Sequence, residues 1–442
     1  LKKYLKWCAT FLTLLLIAGC NNEEQPDAGD NETTVNESTE WLEGGWSGAI
    51  EVPGQPLHIE VAFASDESLT GTISIPVQGL ESYPLSDIQF EGDEISFIMA
   101  LPNEDVMFDG EVIEDSISGT FTQSGQSFPF ELGRGEESDQ SSKEEEEFLT
   151  IEIGEDTLYG SLVLPEEGDG YPVALIIPGS GPTDRNGNSP NLPGENNSLK
   201  LMAEALAENG IASLRYDKRG AGKNAQAVTS EEDMDFDQFV KDAEQWITLL
   251  EEDDRFTNIV VLGHSQGSLE GMIASADTSV DAFISVAGAG RPIDEVLLEQ
   301  LESLSNELYR ESQAILESLK QGDTVEEVNE QLLSVFRPSV QPFMISWMNY
   351  DPVEQIQKLD TPALIINGTH DIQVPEEDAE KLAEAKSGSE LLLIEGMNHV
   401  LKDAPADEEE NMKTYSDPTL PLADGLMPEI LTFLKDNHLL DE

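Results

Sequence analysis

A serine with glycine two positions away on each side stands in Val260-Val261-Leu262-Gly263-His264-Ser265-Gln266-Gly267-Ser268. A β-branched apolar run leads into it and helical spacing from Leu269 to Ser275 leads out, the strand, tight turn and helix that a nucleophile elbow requires. Glycine is needed at 263 and 267 because a Cβ at either would crowd the neighbouring strand and helix. Such a turn holds the Ser265 hydroxyl clear of the sheet, where a base can reach it, so Ser265 is the candidate nucleophile.

A serine hydroxyl needs a base, and the base needs an orienting acid. In a sheet of this kind they follow in the order nucleophile, acid, histidine. Asp371, in Asn367-Gly368-Thr369-His370-Asp371, comes directly off the apolar run Ala363 to Ile366, and His399, in Gly396-Met397-Asn398-His399, follows Leu391 to Ile394. Of the 5 histidines only His399 is suitably placed: His58 lies far upstream, His438 near the terminus, His264 inside the elbow, and His370 ahead of the acid. Asp378 and Asp360 are weaker acids, one inside a helical pattern and one before its strand. His399 then takes the Ser265 proton as the hydroxyl attacks an acyl carbonyl, Asp371 fixes the imidazole tautomer, and water releases the acyl-enzyme. Charge on the carbonyl oxygen must meet donors already in place. The expected ones are the backbone N–H of Gln266 and, from Pro178-Gly179-Ser180-Gly181 after the third strand, that of Ser180. This chemistry uses no metal and no cofactor.

Positioning these groups requires alternating strands and helices. Phe148 to Ile153, Leu158 to Leu164, Val173 to Ile177, Ile211 to Leu214, Ile259 to Leu262, Phe283 to Val286, Ala363 to Ile366 and Leu391 to Ile394 are strand-like. Leu199 to Glu208, Phe236 to Leu250, Leu269 to Ser275 and Glu376 to Lys386 have helical spacing, and Asn209-Gly210 is a helix stop. Eight strands with the serine after the fifth predict an α/β fold, a mostly parallel sheet covered on both faces. Between the sixth and seventh strands, residues 291–350 break the alternation with helical spacing at Leu297, Leu301, Leu304 and Leu308, then Val325, Val328, Leu332 and Val335, which predicts a helical cap. Its apolar end, Phe343, Met344, Ile345, Trp347, Met348 and Tyr350, either packs the cap or lines an acyl pocket.

Three segments, Pro178-Gly179-Ser180-Gly181-Pro182-Thr183-Asp184-Arg185-Asn186-Gly187, Leu214-Arg215-Tyr216-Asp217-Lys218-Arg219-Gly220 and Gly263-His264-Ser265-Gln266-Gly267, resemble a bacterial family of α/β-hydrolase esterases over roughly Phe148 to the C-terminus. The resemblance implies an α/β-hydrolase fold and a carboxylesterase acting on small acyl esters. Asp184 and Arg185, on the first of these loops, either help shape the pocket or, the favoured reading, form a structural ion pair. Asp217 and Arg219 belong to a turn that is generally architectural in this fold, so they stay outside the predicted site.

Upstream, residues 41–134 change to period-two alternation, as in Leu57, Ile59, Val61 and Phe63, or Phe128 and Phe130, broken by turn glycines. A small all-β barrel or sandwich is expected, and it resembles accessory domains that precede bacterial esterase domains. Residues 135–147 form an acidic linker. At the start, Lys2, Lys3 and Lys6 precede an apolar run from Trp7 to Ala18, the shape of a secretory signal and short for a membrane span. Leu16-Ile17-Ala18-Gly19-Cys20 resembles a bacterial lipobox. That implies a signal peptide over 1–19, lipidation of Cys20, a polar tether over 20–40, and a protein anchored on the outer face of the membrane. The other cysteine, Cys8, lies in the leader, so the mature chain has no disulfide to form.

Lys and Arg total 23 against 89 Asp and Glu, a net charge of −66, which excludes a phosphate-backbone partner such as nucleic acid. The excess keeps a surface solvated in salt or alkali, or simply marks an acidic secreted protein. Three functions remain: a lipid-anchored serine carboxylesterase of small esters, a serine peptidase or thioesterase on the same scaffold, and a non-catalytic envelope-binding protein.

Overall fold

Alternation with a period of two gives each N-terminal strand one apolar face, and the faces share one interior. The computed structural model describes residues 40–134 and 147–440, apart from 53–56, 66–67, 76–79, 102–103, 114, 155, 167, 169, 191–193 and 229. The chain divides between Glu145 and Glu146 into two compact units.

The first unit holds strands β1 (Gly44–Ile50), β2 (Leu57–Ser65), β3 (Leu69–Ile75), β4 (Leu80–Pro84), β5 (Ser86–Glu91), β6 (Glu94–Leu101), β7 (Glu104–Ile113), β8 (Ser116–Gln123) and β9 (Gln126–Arg134). They form one antiparallel sheet in the order β4-β3-β2-β1-β9-β8-β7-β6-β5, with Gly48 opposite Leu132 where the first strand meets the last. The two edges are consecutive in the chain. Leu85, between them, donates its N–H to Gly71 O at 2.8 Å, and Ile88 lies 3.1 Å from where a Cβ on Gly71 would stand. The sheet is therefore a nearly closed barrel, which decides between the two expected all-β forms. Phe97 stacks on Phe108 at 4.7 Å, and Phe108 meets Phe121 and Phe130 edge-on at 5.3 and 5.4 Å, so aromatic rings fill the middle.

In the second unit, β10 (Glu147–Ile153), β11 (Asp156–Val163), β12 (Tyr171–Ile177), β13 (Ala212–Tyr216), β14 (Phe256–His264), β15 (Ala282–Val286), β16 (Ala363–Gly368) and β17 (Glu390–Ile394) form a sheet ordered β10-β11-β13-β12-β14-β15-β16-β17. The β10–β11 and β11–β13 pairs are antiparallel and every later pair is parallel. Helices α1 (Ser198–Glu208), α2 (Phe236–Glu251), α3 (Gln266–Ala276), α4 (Ile293–Gln300), α5 (Asn306–Lys320), α6 (Leu333–Phe336), α7 (Gln341–Trp347), α8 (Pro352–Ile356), α9 (Glu376–Ala385), α10 (Glu408–Lys413) and α11 (Leu426–Asp436) accompany it.

Continuous apolar strands are what burial on both faces demands, and neighbouring residues here serve opposite layers. Leu175, Ile177 and Val261 pack with Phe236 and Trp246 of α2 and Leu269 and Met272 of α3. Ala174, Ile176 and Leu262 pack with Leu199 and Met202 of α1 and Ile430 and Phe433 of α11. The α/β-hydrolase fold expected for this region is borne out, with β14 as the fifth strand of eight.

Candidate active site

The turn after β14 is tight enough to explain both its glycines. A Cβ on Gly263 would stand 2.3 Å from Gly267 O, and one on Gly267 would stand 2.4 Å from Ile177 O. Ser265 sits between them at φ 55°, ψ −121°, a conformation that L-residues avoid unless their surroundings impose it. Its N–H donates to Val286 O at 2.9 Å, tying the elbow to the end of β15.

Ser265, His399 and Asp371, from three separate loops, meet at the carboxyl ends of the strands. His399 Nδ1–H donates to Asp371 Oδ2 at 2.8 Å, which leaves Nε2 bare to accept the Ser265 hydroxyl at 3.1 Å. The acid is held from its other side. Asp371 Oδ1 accepts the N–H groups of Gln373 and Val374 at 2.8 and 2.9 Å, and its carboxylate is fully buried, so its orientation is fixed before any substrate arrives. Neither Asp378, paired with Arg291, nor Asp360, before β16, has such a contact with His399.

A buried polar network carries the loop that presents His399. Asn398 Nδ2 donates to Asn411 Oδ1 at 2.9 Å and to Thr414 Oγ1 at 2.7 Å, while Asn411 Nδ2 donates to His370 O at 2.8 Å. The acid loop and the histidine loop are thus tied through one α10 side chain. Lys402, buried three residues beyond His399, donates to Leu420 O, and burial brings its ammonium down to about 8.

One predicted oxyanion donor adjoins the serine in the chain, and the loop that carries the other comes up against it. Gln266 is the first residue of α3, so its N–H is among those with no acceptor inside the helix. The loop after β12 comes up against the elbow at Gly179, where a Cβ would stand 3.3 Å from Ser265 Cβ and 3.7 Å from its Oγ. Ser180 follows, exposed, and its carbonyl accepts the Thr183 hydroxyl at 2.8 Å, which helps hold the loop's shape.

One expectation changes. Arg185 pairs with Asp217, at 2.9 Å, and not with Asp184. Asp184 instead accepts the N–H groups of Asn186 and Asn188, both at 2.8 Å, and burial together with the charge of Asp217 pushes its carboxyl up to about 6. His264, set aside as part of the elbow, donates Nε2–H to the His399 carbonyl at 2.8 Å; burial and the neighbouring His399 imidazole hold it down to about 4, so it is neutral. Cys20 and the leader lie outside the described residues.

With this geometry in view, comparison with known proteins is informative. Residues 196–403 match the family model described as Serine aminopeptidase, S33. Esterase EstD of Thermotoga maritima is 26% identical over 327 residues, spanning 71% of each chain. Among solved structures, Est1E from Butyrivibrio proteoclasticus with ferulic acid bound is 19% identical, covers 66% of this chain and 98% of its own, and has a TM-score of 0.46. The α/β hydrolase GrgF from Penicillium sp. sh18 is 20% identical, covers 66% and 98%, and has a TM-score of 0.45.

The chain between β15 and β16 forms helices α4 to α8. Its own core joins Leu308, Ile315, Leu319, Phe336 and Met344. The six residues expected at its apolar end divide: Met344, Ile345 and Met348 belong to that core, whereas Phe343, Trp347 and Tyr350 pack on the sheet's core around Phe236. Trp347 stacks on Phe236 at 5.8 Å, Ser346 Oγ accepts the Phe236 N–H at 2.8 Å, and the Tyr350 hydroxyl donates to Asp237 at 2.5 Å, so α7 is pinned to the start of α2.

Sequence reasoning also passed over a set of charges beneath the elbow. Lys218 donates to Gln266 Oε1 and to Glu270 Oε1, both at 2.7 Å, and Arg219 pairs with Asp242 at 2.7 Å; all four charged side chains are buried. The available signal was the string Asp217-Lys218-Arg219 directly after an apolar strand in a chain so short of bases.

Proposed function

We propose that this protein is a serine esterase that hydrolyses small acyl esters through an acyl-enzyme on Ser265. The observation that carries the reading is the continuous relay from Asp371 through His399 to Ser265, with the acid held by two backbone N–H groups. The likeness to Esterase EstD supports ester over other acyl substrates. In this reading His399 takes the serine proton during attack and returns it to the departing alcohol, and the N–H groups of Gln266 and Ser180 receive the charge on the carbonyl oxygen. Water then repeats the sequence to free the acid. Ser265→Ala is expected to lower turnover of p-nitrophenyl acetate by at least about 10⁴-fold and to abolish labelling by a fluorophosphonate while the protein stays folded. Persisting label would move the nucleophile elsewhere.

The Serine aminopeptidase, S33 match favours a second reading, amide hydrolysis by the same relay. Aminoacyl p-nitroanilides cleaved with a higher kcat/KM than the corresponding esters would establish it. The reading also places the enzyme outside the cell, held by lipid on Cys20, with support from the basic and apolar leader. Cys20→Ser should then release activity into the medium, and retention in the membrane fraction would sink that part alone.

A further inference from the structure

Lys218 is 1% exposed, and an ammonium in that position is costly unless its donors find partners. It finds two on one helix. Gln266 Oε1 and Glu270 Oε1, each 2.7 Å from Nζ, are four residues apart and so share a face of α3, while the ring of Phe239 closes over the ammonium at 4.7 Å. Burial presses Lys218 below and Glu270 above their ordinary values, and each resists through the other.

As a device for stability the cluster is poor. Gln266 Nε2 and Glu270 Oε2 are buried without a partner, and well-packed apolar side chains of the same volume generally serve a core as well or better. The cluster's position is more telling. An ammonium has donors only, so it fixes which way the Gln266 amide faces and clamps the first turn of α3. That turn follows directly on Ser265, whose positive φ gives the chain a standing reason to relax at this point.

We infer that Lys218 is a positioning residue: anchored by Glu270, it holds Gln266 so that the backbone N–H meets the charge forming on the carbonyl oxygen. The inference rests on Ser265 being the nucleophile. An uncharged ester carbonyl asks little of this arrangement and the tetrahedral state asks much, so the loss of Lys218 falls on kcat and spares KM.

The test uses the full chain carrying Lys218→Met together with Glu270→Met, which removes both charges and strands neither. Removal of a whole oxyanion donor costs about 10²- to 10³-fold in kcat, so a mis-aimed one is expected to cost about 10- to 100-fold, with KM for p-nitrophenyl acetate within about threefold. Affinity for a trifluoromethyl ketone, which adds to the serine as an oxyanion, should fall by a similar factor. A lower melting temperature with kcat and ketone affinity unchanged would overturn the inference. Should the double variant not fold, Gln266→Leu leaves Lys218 paired with Glu270 but removes the side chain they hold, and is judged the same way: a fall in kcat at constant KM supports the assignment, and constant kcat overturns it. Ser265→Ala separates the two levels. If that variant is inactive and the Lys218 variants turn over normally, the nucleophile stands and the positioning role does not.

Discussion

The barrel and the hydrolase unit bury different kinds of side chain. Residues 41–134 carry one arginine, Arg134, and no lysine, and among the described residues of the barrel the only polar side chain in the interior is Gln123, at its margin. The hydrolase unit, in the same acid-rich chain, buries Arg185, Arg215, Lys218, Arg219 and Lys402. Arg185, Arg215, Lys218 and Arg219 gather about the turn after β13, at the end of the sheet where Ser265 emerges. Buried ion pairs contribute little net stability beside apolar packing, so their concentration here answers a need for fixed geometry. The barrel has no such need among its described residues: its interior is rings against rings, and its one arginine, half-buried, lies over Trp41 and Trp46 at 5.1 and 4.6 Å.

If that contrast is sound, one substitution in each unit should separate chemistry from stability. The larger effect is expected from Asp371→Asn, which can still accept the N–H groups of Gln373 and Val374 but no longer holds His399 in the right tautomer. Turnover should fall by about 10⁴-fold while the urea midpoint of the hydrolase unit barely moves. Phe108→Ala removes a ring that touches Phe97, Phe121 and Phe130 and should cost the barrel about 3–5 kcal/mol. With the barrel still folded under assay conditions, kcat/KM for a small ester should not change. A loss of kcat in Phe108→Ala would break the comparison, because the barrel would then take part in the reaction.

The same contrast explains what could be seen in the sequence. The central hydrolase strands were legible because burial on both faces makes a strand continuously apolar, the edge strands β10 and β17 were legible only as short apolar runs, and Ser265, Asp371 and His399 stood out because each comes soon after a strand. The barrel was legible as β structure, but its closure was not. It depends on β4 and β5, two short strands in which no residue is fully buried. The Lys218 cluster was hidden for another reason: Lys218, Gln266 and Glu270 lie on two elements 48 and 52 positions apart, and nothing local marks a buried lysine from an exposed one. Arg185 was assigned the wrong partner on similar grounds, since Asp184 is adjacent in the chain whereas Asp217 is reached only after β13 crosses beneath the loop.

The smallest expected effect concerns acid, and it separates the units because His264 is buried in one while His58, the histidine of the other, is exposed. Above pH 6.5 His264 is neutral whether the chain is folded or not, and it contributes nothing to the pH dependence. As pH falls from 6.5 toward the folded value of about 4, the unfolded chain takes up a proton that the folded one refuses, so stability drops by up to about 3 kcal/mol. Asp184 acts in the opposite sense. With its folded carboxyl at about 6, it binds a proton in the folded state before the unfolded chain does, and stability rises by roughly 2 kcal/mol as pH falls toward 4. The two slopes oppose each other in one window, and single substitutions should uncover them. Asp184→Asn removes one of the slopes that oppose the histidine, so the urea midpoint of the hydrolase unit should fall more steeply between pH 7 and 4.5 than in the wild type. His264→Leu should flatten or reverse that slope even though it is less stable at pH 7, where the His399 carbonyl has lost its donor. The barrel's midpoint should follow one curve in all three proteins, and if it moves with the hydrolase unit's, the two cores do not unfold independently.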